Sequence, residues 1–579
     1  MNRPNDEQNP DITPPPASTP NAPRPRRRWV FQLAALSLTL ASALTGTCLA
    51  YWLKSPSPPT TKTSSPESKG IPARLFQGWG KPDFVVVLSA QQHGYMLPCG
   101  CSEPQVGGLE RRYNFIQLLK ARGWPVVAVD LGDVPQKHGP AKLHNVQGLI
   151  KYRYSMMALK EMNYLAVGVG EYEAGGTWPL ASIEGEWASR TEPPAVLAAN
   201  LKDVETNETN FPFLKANETQ TVPGTTIKVG VTNVVGPSVA ETIKDPSVKF
   251  TPSAPILREQ IRTMHAKNVE LPILLYHGLT TGRKEAIRCA EAFPGFPIIL
   301  ALSEEDEPPA HPIPVDHKGN GNGIRNYIFR LGHKGKYIGV LGVYRNGNGS
   351  SFNFKYQLVE MGTEYATPPE QEANQPIMKM MEDYTRELKN KNYLAKYGQS
   401  SHTLQAMNAV AGLRNPDKGT PTYIGTEKCM KCHPDASAVW KASKHSHAYQ
   451  TLVDAKHPSL RQFDGECIVC HTVGFGYKTG FTDETATKHL KNVGCESCHG
   501  PGSLHAKNPE NQEWRDRMNL PWLAARKNGN EQAKNLAIEK FCVTCHDIDN
   551  DVTWIHKKNK NPFLEKWVKG KIIHNQVRE

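Results

Sequence analysis

Charge of one sign is not concentrated anywhere in this chain in the way that marks a polyanion binder. Its 579 residues carry 68 Lys and Arg against 56 Asp and Glu, a formal net charge of +12. That surplus is modest for the length. Neither a basic repeat nor a helix-turn-helix pattern accompanies it, so nucleic acid is not an expected partner. A mildly basic surface suits acidic protein partners equally well. Charge is absent altogether from Trp29 to Leu53, and apolar residues are scarce on either side of that run. Residues 1–28 are polar and proline-rich and end in Arg24-Pro25-Arg26-Arg27-Arg28. They cannot bury enough apolar surface to fold and read as a disordered cytoplasmic tail. Residues 54–80, rich in Pro, Ser, Thr and Lys, read as a flexible linker.

An uncharged run at 29–53 is long enough to span a bilayer core, which takes about 20 helical residues. Trp29, Tyr51 and Trp52 sit where interfacial anchors belong, and the arginines before the run place its N-terminal side in the cytoplasm. The rest of the chain is then expected in the periplasm of a bacterial cell, held to the inner membrane by one transmembrane helix. A cleaved leader fits less well, because the run is long for one and Tyr51-Trp52-Leu53-Lys54 is a poor cleavage site. Thr47 before Cys48 is bulkier than lipoprotein processing prefers.

Cysteine is also sparse, with 12 in the whole chain, and eight of them fall in one repeated pattern. The pattern is Cys429-Met-Lys-Cys432-His433, Cys467-Ile-Val-Cys470-His471, Cys495-Glu-Ser-Cys498-His499 and Cys542-Val-Thr-Cys545-His546. C-x-x-C-H is the attachment pattern of c-type haem. Two thiols form thioethers with the two vinyl groups on one porphyrin edge. The next residue must then set an imidazole beneath the iron, which neutral histidine binds well. Structural zinc also uses paired C-x-x-C but does not require histidine directly after the second cysteine. With 20 histidines in the chain, chance would place all four with odds of roughly one in a million. Four covalently attached haems are therefore expected, with His433, His471, His499 and His546 as iron ligands. Because bacterial haem attachment takes place outside the cytoplasm, the motifs agree with export.

Residues 421–579 leave about 40 residues for each motif, too few for an ordinary apolar core. A mostly α-helical and irregular multihaem domain is expected, with the porphyrins filling its interior. Each iron needs a sixth ligand or an open face, and His445, His447, His457, His489, His505, His556 and His574 are at hand. Saturated iron suits electron transfer, whereas an open face permits chemistry on a bound molecule.

Upstream, from Asp83, short apolar runs alternate with helical stretches. Strands are expected at Phe84–Leu88, Pro125–Val129, Tyr164–Gly168, Ala195–Ala198, Thr226–Val234, Leu271–Tyr276 and Phe296–Ala301. Tyr337–Leu341 and Phe352–Leu358 read as a closing β-pair. The alternation predicts an α/β domain over 81–362. A helical connector is expected at 363–420, with Ile377, Met380, Met381, Tyr384 and Leu388 at helical spacing and the methionines as core filler. Asn415 to Thr420 reads as a turn-rich boundary. Pro98-Cys99-Gly100-Cys101 is either a redox or soft-metal site or a tight structural turn whose thiols can oxidise. Cys289 reads as a small buried residue.

Two resemblances follow from these residues. Gln91-Gln92-His93-Gly94, Gly107-Gly108-Leu109-Glu110-Arg111-Arg112, Asp130-Leu131-Gly132-Asp133 and Gly332 to Gly339 resemble calcineurin-like and 5′-nucleotidase-type metallophosphoesterases. The likeness implies a β-sandwich layered with helices. That family holds two metals, which make hydroxide at neutral pH. Here Gln91 stands in place of the first aspartate, and Gly168-Val169-Gly170-Glu171 in place of a Gly-Asn-His-Glu segment. The final Gly-His-x-His is missing where Leu302-Ser303-Glu304-Glu305 follows a strand. The expectation is a degenerate domain without phosphatase activity, in which His93, Asp133 and His277 are the remaining ligand-type residues.

The second resemblance is carried by Tyr423 to Cys429, Trp440 to Tyr449, Cys495 to His505 and Trp567 to His574. These are similar to the tetrahaem cytochrome c family that includes the electron acceptor of hydroxylamine oxidoreductase. It implies sixth ligands at His445 or His447, at His505 and at His574, with His489 next. His457 and His556 are expected at the surface. The chain is thus expected to carry electrons between periplasmic or membrane redox proteins. A multihaem oxidoreductase acting on a small nitrogen or sulfur species at a five-coordinate haem is the main alternative. A metallophosphoesterase with an electron-transfer tail is the second.

Overall fold

The computed structural model describes residues 70–98, 104–203, 205–317, 325–347, 351–410, 414–519 and 531–555. The expected membrane segment at 29–53, Cys48, Cys99, Cys101, His556 and His574 lie outside the described residues. Among the described residues no helix is long and apolar enough to cross a membrane.

Two six-stranded sheets build the middle of the chain. The first contains β1 (Phe84–Ser89), β2 (Val126–Asp130), β3 (Tyr164–Gly168), β4 (Ala195–Leu197), β11 (Tyr337–Arg345) and β12 (Phe352–Glu360), in the order β12-β11-β1-β2-β3-β4. The second contains β5 (Asn217–Thr221), β6 (Lys228–Val235), β7 (Leu271–His277), β8 (Ile298–Ala301), β9 (Ile313–Asp316) and β10 (Arg325–Phe329), in the order β5-β6-β7-β8-β10-β9. β1 to β4 pair in parallel. Their connections include helices α1 (Leu109–Ala121) and α2 (Gly148–Glu161), as parallel pairing requires. β11 closes antiparallel on β1 and β12 on β11.

Side-chain alternation explains the layering. Along β1, Phe84, Val86 and Leu88 face a core shared with Val229, Val231, Ile273, Leu275, Ile298 and Leu300 of the second sheet. Val85 and Val87 face the opposite way, onto Phe115, Ile116 and Leu119 of α1 and Ile150 and Leu159 of α2. A strand covered on both faces is apolar throughout, which is why this run is legible. The second sheet turns Leu274, Tyr276 and Ile299 onto α3 (Ser253–Ala266) and α4 (Glu285–Ala292), and Cys289 is buried among them. The architecture is helices, sheet, sheet, helices.

Two expected boundaries move. The linker expected to run to residue 80 ends sooner, because Leu75 and Phe76 are buried in the first core. Phe76 packs edge-on against Trp79 and Trp124, with ring centroids 4.8 and 5.3 Å away. The connector is not a separate piece either. Its helix α5 (Pro376–Asn390) contributes Ile377, Met381, Tyr384 and Leu388 to the same core as α2.

Residues after 420 form short helices around each motif: Thr426–Met430, Pro434–Lys441, Gly465–His471, Cys495–His499 and Glu531–Cys542 among them. Two seams join them to the sandwich. At the first, the Gln147 amide, fully buried, donates to Tyr384 Oη at 2.7 Å and Asp464 Oδ1 at 2.8 Å. Its oxygen accepts from the Tyr397 hydroxyl at 2.8 Å and from Gly465 N at 3.0 Å. Lys151 Nζ lies 2.7 Å from Glu466 Oε2, and Glu382 accepts from Ser459 N and Oγ. At the second, Asp549 pairs with Lys334 and Lys336, and Gln105 donates to the carbonyls of Asp549 and Asn550.

All four side-chain hydrogen-bonding positions of Gln147 are used at the first seam. Replacing Gln147 with Leu leaves Asp464, Gly465 N and two tyrosine hydroxyls to find other partners. It is expected to lower the unfolding free energy of the haem-loaded chain by roughly 3 kcal/mol, read by chemical denaturation.

Candidate haem centre

The four motifs come together by interlocking. Cys429 of the first motif lies within hydrogen-bond reach of Cys495 of the third. Cys470 of the second stands in the same relation to Cys545 of the fourth. Cys432 is exposed and the other seven cysteines are half-buried. The first and third motifs are tied by Glu496, which is buried and accepts from Ile424 N at 3.0 Å, Gly425 N at 2.7 Å and Gly502 N at 2.8 Å. Thr426 Oγ1 accepts from Cys495 N at 3.2 Å. The second motif helix is capped by Asp464, whose side chain accepts from Glu466 N.

Three motif histidines have their Nδ1 engaged. His471 Nδ1 lies 2.5 Å from Ala448 O, His499 Nδ1 3.0 Å from Met518 O, and His546 Nδ1 2.8 Å from Asp551 Oδ2. A carbonyl or carboxylate acceptor fixes the proton on Nδ1 and leaves the Nε2 lone pair for a metal. The rings also pair. His433 and His505 have centroids 6.2 Å apart with planes at 29°, and His445 and His546 have centroids 6.1 Å apart at 51°. A metal bonded to one nitrogen of each ring at roughly 2 Å sets the centroids about 6 Å apart. The donor set and its spacing therefore fit haem iron. Burial lowers His445 to about 4, with His546 and His471 adding to the effect, so it is a neutral imidazole.

Of the alternatives in the sequence, His445 and not His447 comes to a motif histidine, and His447 and His489 are exposed. His457, expected at the surface, is half-buried, its Nδ1 3.6 Å from Glu382 Oε1 at the first seam. Reading the sequence alone missed Glu496, Asp551 and His402. His402 accepts from Leu404 N at Nδ1 and packs beside Gly500, after the third motif. Asp551 had a signal, since Asp547, Asp549 and Asp551 alternate directly after the fourth motif.

In the sandwich the expected ligand-type residues meet, but hydrogen bonds hold the loops. Gln91 Oε1 accepts from Ser303 N at 2.9 Å. Glu173 accepts from Asp133 N, Val134 N and Gly170 N at 2.9 to 3.0 Å. Asp133 Oδ1 accepts from Tyr172 N at 2.8 Å, and Asp133 Oδ2 lies 3.9 Å from His277 Nδ1. A Cβ on Gly170 would collide with His277 Cε1 and Asp133 Oδ1, so the histidine of the phosphoesterase pattern has no room here. His93 is stacked on Tyr172 at 4.3 Å and His333 at 5.3 Å. Burial, then His333, Lys334 and Lys137, pushes it down to about 3. No group of three or more His, Cys, Asp or Glu with metal-binding geometry occurs among the described residues.

The C-terminal region is similar in part to a cytochrome family, and the sandwich is similar to structures of 5′-nucleotidases and calcineurin-like phosphoesterases. Residues 428–500 match the family described as cytochrome c554 and c-prime. A cytochrome c-554 from Nitrosomonas europaea is 31% identical over 139 residues, covering 21% of this chain and 57% of that protein. A 5′-nucleotidase precursor from Thermus thermophilus is similar to 53% of the chain at 19% identity and a TM-score of 0.42, covering 59% of that structure. A calcineurin-like phosphoesterase from Bacillus subtilis is similar to 53% of the chain at 16% identity and a TM-score of 0.39, covering 98% of that structure. The chain therefore spans little more than half the length of the first relatives it matches.

Burial and the neighbouring Asp133 raise Glu173 to about 8. Replacing Glu173 with Ala strands three buried N–H groups and is expected to cost roughly 3 kcal/mol of stability. A carboxyl raised in the folded state stabilises fully below its unfolded value, and that contribution is lost as pH rises toward 8. The stability of wild type relative to Glu173→Gln is therefore expected to fall across that window, measured by urea unfolding.

Proposed function

We propose that this chain is a membrane-anchored tetrahaem c-type cytochrome of the bacterial periplasm that carries electrons between redox partners. The observation that supports it best is the pairing of His433 with His505 and of His445 with His546 at the spacing of two ligands on one iron. Covalently attached haem c supplies one-electron chemistry when bound. The chain does the rest. Cys429 and Cys432, Cys467 and Cys470, Cys495 and Cys498, and Cys542 and Cys545 hold the four haems. His433, His471, His499 and His546 are the proximal ligands. His505 and His445 would complete the first and fourth sites, and His447, His489 and His574 are the remaining candidates for the other two.

The anchor at 29–53 keeps the haem domain at the membrane face, where its partners are periplasmic or membrane redox proteins. The sandwich serves as a seat. Its remnant pocket is tied by Glu173 and Gln91 in place of metals, and it meets the haem domain along both seams. Hydrolysis of nucleotides by the full chain would contradict this role.

The deciding measurement is an electron paramagnetic resonance spectrum of the oxidised, haem-loaded chain. The first and fourth irons are expected to be low-spin. Replacing His505 or His445 with Ala is expected to turn one iron in four high-spin each time. High-spin iron that binds small exogenous ligands in the unaltered chain would instead favour a small-molecule oxidoreductase.

A further inference from the structure

We infer that Asp551 is a positioning residue that makes the haem held by His546 the hardest of the four to reduce, and that the sandwich holds Asp551 in place. The inference rests on the four-haem reading above. His546 Nδ1 meets a carboxylate, while His471 Nδ1 and His499 Nδ1 meet backbone carbonyls. A carboxylate draws the Nδ1 proton more strongly than a carbonyl does and puts more electron density on Nε2. A more basic axial ligand favours ferric over ferrous iron and lowers the potential.

Asp551 is well held. Its side chain is 16% exposed. Its N–H donates to Asp547 O at 2.7 Å and its carbonyl accepts from Trp554 N at 3.1 Å. The Trp554 ring stacks on His546 at 4.7 Å and covers one face of the imidazole. Asp547 Oδ1 accepts from Asp549 N and Asn550 N, which closes the loop. The same loop is gripped from outside by Lys334, Lys336 and Gln105 of the sandwich. The remnant pocket thus holds the loop that orients the fourth proximal ligand.

The test is a spectroscopically monitored redox titration of the full haem-loaded chain. Asp551→Asn keeps a hydrogen-bond acceptor and loses the charge. One haem is expected to become about tenfold easier to reduce, about 59 mV for one electron, with the other three unmoved. Asp551→Glu keeps the charge and is expected to stay near the wild-type value. No shift, an equal shift of all four haems, or a shift in a haem other than the one altered by His445→Ala overturns the inference. Should Asp551→Asn fail to load haem, the unaltered chain decides. The haem altered by His445→Ala must then have the lowest of the four potentials, and any other order overturns the inference. Fewer than four haems by mass would defeat the underlying reading instead, and that is seen before any titration begins.

Discussion

An imidazole holds iron in a fixed orientation only if something holds the imidazole, and the segment that carries the four motifs has little apolar chain to do it. Its main apolar cluster gathers Tyr423, Tyr449, Leu452, Ile468, Val473, Phe475, Phe481 and Leu490. Leu394 and Tyr397 complete that cluster from before the domain, and Leu143 and Val146 pack on it from the sandwich. A segment of this kind cannot be stiffened by apolar burial alone. Polar groups take over much of the task. Glu496, Asp464 and Gln147 are each buried and each bind several backbone or side-chain partners, the arrangement in which a buried polar group adds rigidity without an unsatisfied cost.

The loops at the strand ends of the sandwich are held by its own hydrogen bonds. In a two-metal site the ions tie together loops from the ends of several strands. Here the loops after β2 and β3 are tied by Glu173, and the loops after β1 and β8 by Gln91. The Gln91 amide accepts from Ser303 N without placing a charge at a buried position. Glycine at 170 then lets His277 and Asp133 approach each other.

How much of this was legible in the sequence varied with the kind of signal. The strands buried on both faces, β1 to β4 and β6 to β8, read as continuous apolar runs, and the structure has them where they were expected. β5 and β9 did not stand out because they lie at the edges of the second sheet, with sequences Asn-Glu-Thr-Gln-Thr and Ile-Pro-Val-Asp. Edge strands face solvent on one side and tolerate polar residues and proline. β10 is short and carries Arg325 and Asn326 at its start. The C-x-x-C-H motifs were legible because thioether chemistry fixes their spacing locally. The rings that pair with the motif histidines were only narrowed to candidates, since His445 and His546 lie far apart in the chain and nothing local distinguishes His445 from His447. The seams were invisible for the same reason. Gln147, Glu173 and Lys336 are ordinary surface-type residues until a distant segment buries them.

The second seam is a contact between opposite charges. Lys334 and Lys336 lie on the loop before β11. Two cations so close together attract an anion. Asp549 supplies one from within the chain, and it is drawn below the ordinary carboxylate range by Lys334 and Lys336 against the opposing effect of its burial. An aspartate two residues from the one that meets His546 is thereby fixed to the more extensive of the two cores. Such charge complementarity suits a permanent contact, because a tethered anion loses far less freedom on binding than a free one.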